Sequence, residues 1–201
     1  MAESKGRLKF LEVEHKFVVS STFDRSIFFR RVRALKPKRE AKVSVKDRYY
    51  LLRERRDLVF RHRLDREIQQ LTVKSLQGPI EARLEINLHL GHEHGNQHDA
   101  IKALLSAIGP MWSGVIAKQV YVFEFRDCEV VYYSARCGQH VIYCVEFEAT
   151  KKTSRKAAVE ILNRYEKKLG FDPRGRSTKS LFEMLLLPAS RNQKKNKRKS
   201  P

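Results

Sequence analysis

The segment LEVEHKF, residues 11 to 17, places three ionisable side chains at alternate positions. Successive side chains of a β-strand point to opposite faces, so Glu12, Glu14 and Lys16 would share one face and apolar residues the other. Two carboxylates and an ammonium group on one face form either a solvated surface or part of the lining of a cavity. The other charged segments of the chain bear on this choice.

The later segments repeat the alternation and sort it by the sign of the charge. VFRHRL, LTVKS and EARLEINL contribute basic faces, and CVEFEA contributes an acidic one. Together with the first segment they define two acidic strands and three basic ones, formed by Glu12, Glu14, Glu146 and Glu148 on one side and by Arg61, Arg63, Lys74 and Arg83 on the other.

Two structures account for such faces. An antiparallel sheet with one wet side is common and explains the alternation. It does not explain the sorting by sign. A barrel interior that binds a polyanion and its metal explains both, because hard divalent cations take carboxylate oxygens while Arg and Lys bind phosphate oxygens.

The elements that would position these side chains are mainly strands. Alternation predicts strands at roughly 8–19, 40–52, 57–64, 68–75, 80–90, 116–126, 128–136 and 141–149. Helix-like periodicity and capping residues predict helices at 22–35, 97–108, 154–170 and 177–187. Because strands dominate and no regular βαβ alternation is visible, we expect one α+β domain over residues 1–188.

The chain is strongly basic, which favours an anionic partner. It has 201 residues, 42 Lys and Arg against 23 Asp and Glu, and a formal net charge of +19. Part of the excess lies in the run after Pro188, which we interpret as a disordered basic tail over 189–201. Such a tail could bind RNA, DNA or polyphosphate by counterion release.

Cysteine usage and hydropathy indicate a compartment. The chain has three cysteines, Cys128, Cys137 and Cys144. Their odd number and the absence of a CxxC spacing argue against a secreted disulfide framework. No apolar signal core and no run of about 20 apolar residues is present, so the sequence predicts a cytoplasmic protein that does not enter a membrane. It is compatible with a monomer or a homodimer.

The order of these segments resembles the CYTH domain, also called the triphosphate tunnel metalloenzymes. EVEHK resembles the ExExK signature of this family, DRYYL its D-x-Y-Y strand and STKSL its terminal helix. The segments RHR, LTVK, EARLEIN and VEFE follow in the same order, so the resemblance covers about residues 8 to 187. It implies an eight-stranded antiparallel β-barrel that forms a tunnel, with helices packed on the outside.

The resemblance also implies roles for individual residues. The metal, Mg²⁺ or Mn²⁺, would be held by Glu12, Glu14, Glu85, Glu146 and Glu148. Phosphates would be held by Lys16, Arg61, Arg63, Lys74, Arg83, Lys118 and Lys179, of which Lys16, Arg61, Arg63 and Lys74 would act in catalysis. Phosphoryl transfer fits this set, since it needs positioning and charge neutralisation more than a covalent nucleophile.

The sequence departs from the family pattern at three positions. Asn87 stands where RxExE has its last Glu, and Val120 stands where the family's K-x-R strand has Arg. The family's metal-binding Asp of the next strand falls near Tyr133 or Ser134, and a shifted strand could offer Asp127 or Arg126 instead.

Three classes of function follow from these observations. The first is a metal-dependent phosphohydrolase acting on inorganic tripolyphosphate or an organic triphosphate. The second is a triphosphate, polyphosphate or nucleotide binding module with weakened turnover, and the third is a nucleic-acid-associated protein. The sequence does not name the substrate, and it gives no decisive reason to separate a hydrolase from a cyclase.

Overall fold

A computed structural model describes residues 10–77, 82–109 and 111–187, and within them eight antiparallel strands close into a barrel. Around the barrel the strands follow the order β1-β5-β4-β3-β2-β6-β7-β8. The strands are β1 (Leu11–Val19), β2 (Arg39–Leu52), β3 (Leu58–Leu64), β4 (Gln69–Ser75), β5 (Ala82–Leu90), β6 (Met111–Glu124), β7 (Cys128–Cys137) and β8 (His140–Ala149).

The predicted α+β class and the eight-stranded antiparallel barrel are confirmed. Strand boundaries agree within a few residues, except that β6 begins at Met111 rather than near residue 116. The predicted tail over 189–201 lies outside the described residues.

Three helices pack on the barrel: α1 (Arg25–Ala34), α2 (His98–Ile108) and α3 (Arg155–Leu169). Side-chain caps start two of them, since Asp24 accepts from the amides of Ser26 and Ile27 and Ser154 accepts from the amide of Ala157. Gly170 ends α3 with φ +81°, a left-handed conformation that favours glycine. None of the described helices is long and apolar enough to cross a membrane.

The outward face of β1 carries the main apolar core. Val13 and Phe17 pack there with Phe147 of β8, with Phe28 of α1 and with Leu162 of α3. Because period-two alternation commits these residues to the outside, it commits Glu12, Glu14 and Lys16 to the barrel interior.

The last helical segment is α4 (Phe182–Leu186), and it lies next to the interior of the barrel. Leu181 and Phe182 belong to a second core together with Tyr49, Val120 and Tyr133 of the barrel strands. Leu181 and Phe182 also line the interior cavity. The α4 segment therefore helps to form the wall of the cavity.

A buried ionic network attaches β1 to α3 and to the segment before α4. His15 Nδ1 lies 2.6 Å from Oε1 of Glu166, and both Nε and Nη2 of Arg176 donate to the same carboxylate. The amide of Ser177 donates to the carbonyl of Lys16 at 2.6 Å. These bonds fix the segment that carries Lys179 beside the strand that carries Lys16.

This network predicts a pH-dependent contribution to stability. Burial alone would raise the pKa of Glu166, but His15 and Arg176 outweigh it and hold that pKa below its ordinary value. The contribution is therefore present above the ordinary carboxyl pKa and is lost as pH falls through the lower, folded value. Glu166→Gln should cost about 2 to 3 kcal/mol at pH 7, and the difference from the natural protein should shrink in acid.

Urea unfolding at pH 7 and pH 3 measures this difference. Glu160→Gln, on an exposed position of the same helix, is the matched control and should leave the midpoint unchanged at both pH values. A Glu166→Gln loss of the same size at both pH values would contradict the electrostatic account.

Candidate active site

The barrel encloses a cavity of about 450 Å³, and its walls divide into two arcs. Most of the charged side chains come from five neighbouring strands, β8, β1, β5, β4 and β3. We call this part of the wall the charged arc. Strands β2, β6 and β7 contribute mostly aliphatic side chains over the middle of their length, which we call the apolar arc. Seven basic side chains line the cavity: Lys16, Arg39, Arg61, Arg63, Lys74, Arg83 and Lys118.

Each lysine of the charged arc bridges carboxylates on neighbouring strands. Lys16 Nζ lies 3.0 Å from Oε1 of Glu14 and 3.0 Å from Oε1 of Glu146. Lys74 Nζ lies 2.7 Å from Oε2 of Glu12 and also contacts Glu85. Register explains these contacts, because Lys16 pairs with Glu146 and Lys74 pairs with Glu85 across the sheet.

The arginines of β3 belong to the same wall. Arg61 is 7% exposed and donates to the Thr72 hydroxyl at 3.1 Å and to Glu85 at 3.4 Å. Arg63 makes two parallel bonds to Asp47, at 2.9 and 3.1 Å. The paired arginines identified in the sequence therefore both face the cavity, each with an acidic partner.

Asp47 was not among the predicted site residues, yet it organises two of them. It is fully buried, binds the Arg63 guanidinium and lies 2.5 Å from Lys118 Nζ. Burial would raise the pKa of Asp47, but Lys118 and Arg63 outweigh it and hold the pKa far below its ordinary value. The signal was present in the sequence, since Asp47 opens the DRYYL segment on the inward face of β2.

The acidic side chains outnumber the basic ones among the described lining residues. Nine carboxylates face seven basic groups, so the cavity wall is not a self-repelling cationic surface. The carboxylates are Glu12, Glu14, Asp65, Glu67, Glu85, Glu124, Glu129, Glu146 and Glu148.

Crowding of these carboxylates perturbs their titration. Burial and the neighbouring Glu14 raise the pKa of Glu12 well above its ordinary value. Burial, with Glu14 and Glu129 adding to it, raises the pKa of Glu148 to about 7. Glu14 behaves in the opposite way, because Lys16 and Lys74 outweigh its burial and lower its pKa to about 2. The charged arc thus favours an additional cation next to Glu12 and Glu148.

The donor chemistry of this arc fits a divalent cation such as Mg²⁺ or Mn²⁺, since all the candidate ligands are carboxylate oxygens. In this structure ammonium groups already bind several of them: Lys74 holds Glu12 and Lys16 holds Glu14 and Glu146. Within the described parts of the chain no three acidic, His or Cys side chains converge into a ready coordination site. A metal would therefore bind as a lysine releases its carboxylate.

A residue absent from the predicted set extends the acidic cluster. Glu129 lines the cavity and is the register partner of both Glu124 and Glu148, and Glu148 in turn pairs with Glu14. Asp127, which we considered as a substitute metal ligand, lies elsewhere. It accepts from Arg164 and from the Tyr165 hydroxyl of α3, so that alternative is wrong.

Val120 and Tyr133, the two departures from the family pattern, both line the cavity and are direct register partners. The Tyr133 hydroxyl donates to Oε1 of Glu146 at 2.6 Å, and Lys118 Nζ lies 5.7 Å from the ring centroid. Asn87 also lines the cavity and accepts from Thr72. All three positions therefore lie on the inward face, with Tyr133 and not Ser134 lining the cavity on β7.

Lys179 is separate from the main cavity. It lines a smaller adjoining cavity of about 280 Å³ together with Arg155 and Arg176. Lys16 and Arg83 line both cavities, which places Lys179 on the far side of the wall that they form. Of the predicted phosphate ligands, the other six face the main cavity.

The pairing at Asp47 predicts a large effect of a small substitution. Asp47→Asn keeps the shape but leaves Arg63 and Lys118 without a carboxylate, and loss of one partner from a buried ion pair costs about 3 to 5 kcal/mol. Urea unfolding should show a much lower midpoint. Asp57→Asn, which removes an exposed partner of Arg55, should leave the midpoint unchanged. Equal midpoints for the two variants would contradict the role of Asp47.

Comparison with known proteins supports the architecture. No protein-family model and no curated protein sequence matches the chain. Among solved structures, the PH1012 protein of Pyrococcus horikoshii OT3 aligns over 87% of this chain and 99% of its own, with 18% identity and a TM-score of 0.68.

Two further structures have described activities. HpAC1 from Hippeastrum, described as having a dominant triphosphatase activity, aligns with 16% identity and a TM-score of 0.58 over 88% of this chain and 98% of its own. The RNA triphosphatase domain of a mimivirus mRNA capping enzyme aligns over 80% of this chain and 90% of its own, with 10% identity and a TM-score of 0.56. The chain thus shares the closed eight-stranded barrel of these proteins, and the triphosphate tunnel fold expected from its resemblance to the CYTH domain is confirmed.

Proposed function

We propose that the chain is a divalent-metal-dependent phosphohydrolase that acts on inorganic tripolyphosphate or on an organic triphosphate. The observation that carries this proposal is the charged arc, which sets buried basic groups directly against carboxylates inside one closed cavity. A metal triphosphate complex needs both kinds of group. Triphosphatase activity is described for two proteins that share the fold.

The basic side chains of the charged arc would bind the phosphate oxygens. Lys16, Arg61, Arg63 and Lys74 would contact the reacting phosphates, with Arg83 and Lys118 binding the other phosphates. Lys179, the remaining predicted phosphate ligand, lines the adjoining cavity and would contact only a part of the ligand that extends past Lys16 and Arg83. Arg61 and Arg63 suit this role because a guanidinium group presents a fixed fork of donors. Asp47 and Thr72 would act as positioning residues, since they hold those two guanidinium groups in place.

The carboxylates Glu12, Glu14, Glu85, Glu146 and Glu148 would hold Mg²⁺ or Mn²⁺. When bound, such an ion neutralises phosphate charge and activates water for attack on a phosphorus atom. The two lysines would change partners at the same time: Lys74 and Lys16 would release their carboxylates and bind phosphate oxygens as the ligand enters. Every buried charge then keeps a partner throughout binding.

This exchange predicts that binding of the phosphate chain requires metal. Tripolyphosphate with Mg²⁺, at about 100 times its dissociation constant, should stabilise the protein by roughly 2.7 kcal/mol, visible as a raised melting temperature. Tripolyphosphate alone should give a much smaller shift, because the carboxylates outnumber the basic groups. Differential scanning fluorimetry with and without chelator measures both.

Single substitutions locate the effect. Lys74→Ala and Arg61→Ala should reduce the ligand-induced shift strongly. Lys46→Ala, on the exposed outer face of β2, is the matched control and should preserve it. Equal effects of the three variants would show that binding is nonspecific charge attraction, and no shift under any condition would remove the proposal.

The second candidate is a binding module with weakened turnover. It is favoured by Val120 and Tyr133, which occupy the cavity positions where the family pattern has Arg and Asp. A nucleic-acid role through residues 189–201 is a third possibility, which a salt-dependent RNA shift lost on deletion of that segment would support.

Hydrolysis separates the first two candidates. Orthophosphate release should be measured from tripolyphosphate, ATP and thiamine triphosphate, each with Mg²⁺ and with Mn²⁺. If the two departures weaken catalysis, the double variant Val120→Arg with Tyr133→Asp should raise tripolyphosphate hydrolysis. Tripolyphosphate affinity should change little, because the added groups act in the transition state more than in the ground state. The opposite result would be tripolyphosphate turnover on the order of 10 per second in the natural protein and slower turnover after both substitutions. It would show that this chain does not need the family's Arg and Asp.

A further inference from the structure

The apolar arc of the cavity is unusual for a site built to hold a phosphate chain. Three adjacent strands, β2, β6 and β7, turn aliphatic side chains towards the interior, and charged or polar groups flank them on each strand. These side chains are Ala41, Val43, Val45, Val120, Val122 and Val131.

Strand register makes this arc continuous. Val43 lies opposite Val120, and Ala41 lies opposite Val122. Val122 is in turn opposite Val131 on β7. Side chains directly opposite on one sheet face have Cβ atoms about 5 Å apart, so the methyl groups form one patch.

Part of this patch is open to the cavity. Val45 and Val120 are buried in the second core with Leu181 and Phe182, whereas the other valines lie at the margin of that core. Val43, Val122 and Val131 are only half-buried although they point into a closed barrel, so their exposed surface faces the cavity. Small barrels usually fill their interior with side chains, or they hold a small ligand. Apolar surface left open beside a charged wall points to an apolar group of the ligand.

We propose that the apolar arc holds the organic group of the substrate, so that the substrate is an organic triphosphate and not inorganic tripolyphosphate. This inference rests on the proposed function. The register row Val122, Val131, Glu146 and Lys16 leads from the apolar arc directly to a phosphate-binding lysine. One molecule can therefore contact both arcs.

The chemistry of the arc restricts the organic group. Its main polar group is the Tyr133 hydroxyl, which already donates to Glu146. Burying unpaired polar atoms against methyl groups costs free energy, so the arc favours a flat heterocycle or a hydrocarbon with few hydrogen-bonding atoms on the face that it presents.

The position of the arc also orients the ligand. It covers β2 from Ala41 to Val45, about 13 Å along the strand. Its outer end is bounded by Arg39, which bridges Glu124 at 2.8 Å and Glu67 at 3.0 Å, and its inner end by Asp47. Polar parts of the organic group would meet the Arg39 rim, while the phosphates turn towards β1 and β3.

Isothermal titration calorimetry with Mg²⁺ tests the inference, with ATP, thiamine triphosphate and tripolyphosphate as probes. At least one organic triphosphate should bind more tightly than tripolyphosphate and with a more negative heat-capacity change, the marker of apolar burial. The double variant Val43→Thr with Val122→Thr keeps the shape but adds hydroxyls. It should weaken the organic ligand roughly tenfold and leave tripolyphosphate unchanged.

Two further variants keep the result decisive. Val122→Phe should fill the arc and exclude the organic ligand while tripolyphosphate still binds. Val115→Thr, on β6 but not lining the cavity, should change neither affinity. The inference is overturned if tripolyphosphate binds as tightly as both organic probes, or if the arc variants weaken all three alike. Failure of all three to bind would instead remove the proposed function itself.

Discussion

Pairing of charges inside a closed barrel is the interaction on which the rest of this structure depends. Removing a charged group from water is costly, and the cost is offset only when a partner lies at hydrogen-bond distance. The strands meet this requirement through register: Lys74 faces Glu85 across β4 and β5, and Lys16 faces Glu146 across β1 and β8. Asp47 meets it for Arg63 and Lys118 together.

The same constraint shapes what the cavity can accept. A triphosphate alone would take the basic groups from their carboxylates and leave those carboxylates buried and unpaired, whereas a triphosphate with its metal supplies partners for both. The raised pKa values of Glu12 and Glu148 have this origin, because burial and neighbouring carboxylates leave these two groups short of positive charge. Stability of the empty barrel and the proposed dependence on a cation thus have one cause.

Much of the fold and part of the site could be predicted from period-two alternation, which assigned Glu12, Glu14 and Lys16 to one strand face. Alternation within a strand does not reveal which strand lies beside it. It therefore could not show that Asp47 holds two basic groups, or that Glu129 joins Glu148. The Asp127 alternative was wrong because it assumed a shifted strand, whereas Asp127 lies in the turn between β6 and β7, where the alternation does not apply.

The departures from the family pattern at positions 120 and 133 lie at one place in the cavity wall. Val120 and Tyr133 are opposite each other in register, so a change at one position bears directly on the other. Val120 joins Val43 in the apolar arc, and the Tyr133 hydroxyl donates to an oxygen of Glu146. Val120 is also buried against Leu181 and Phe182, so the apolar arc is continuous with the second core, and its half-buried valines are the part that the proposed organic group would cover.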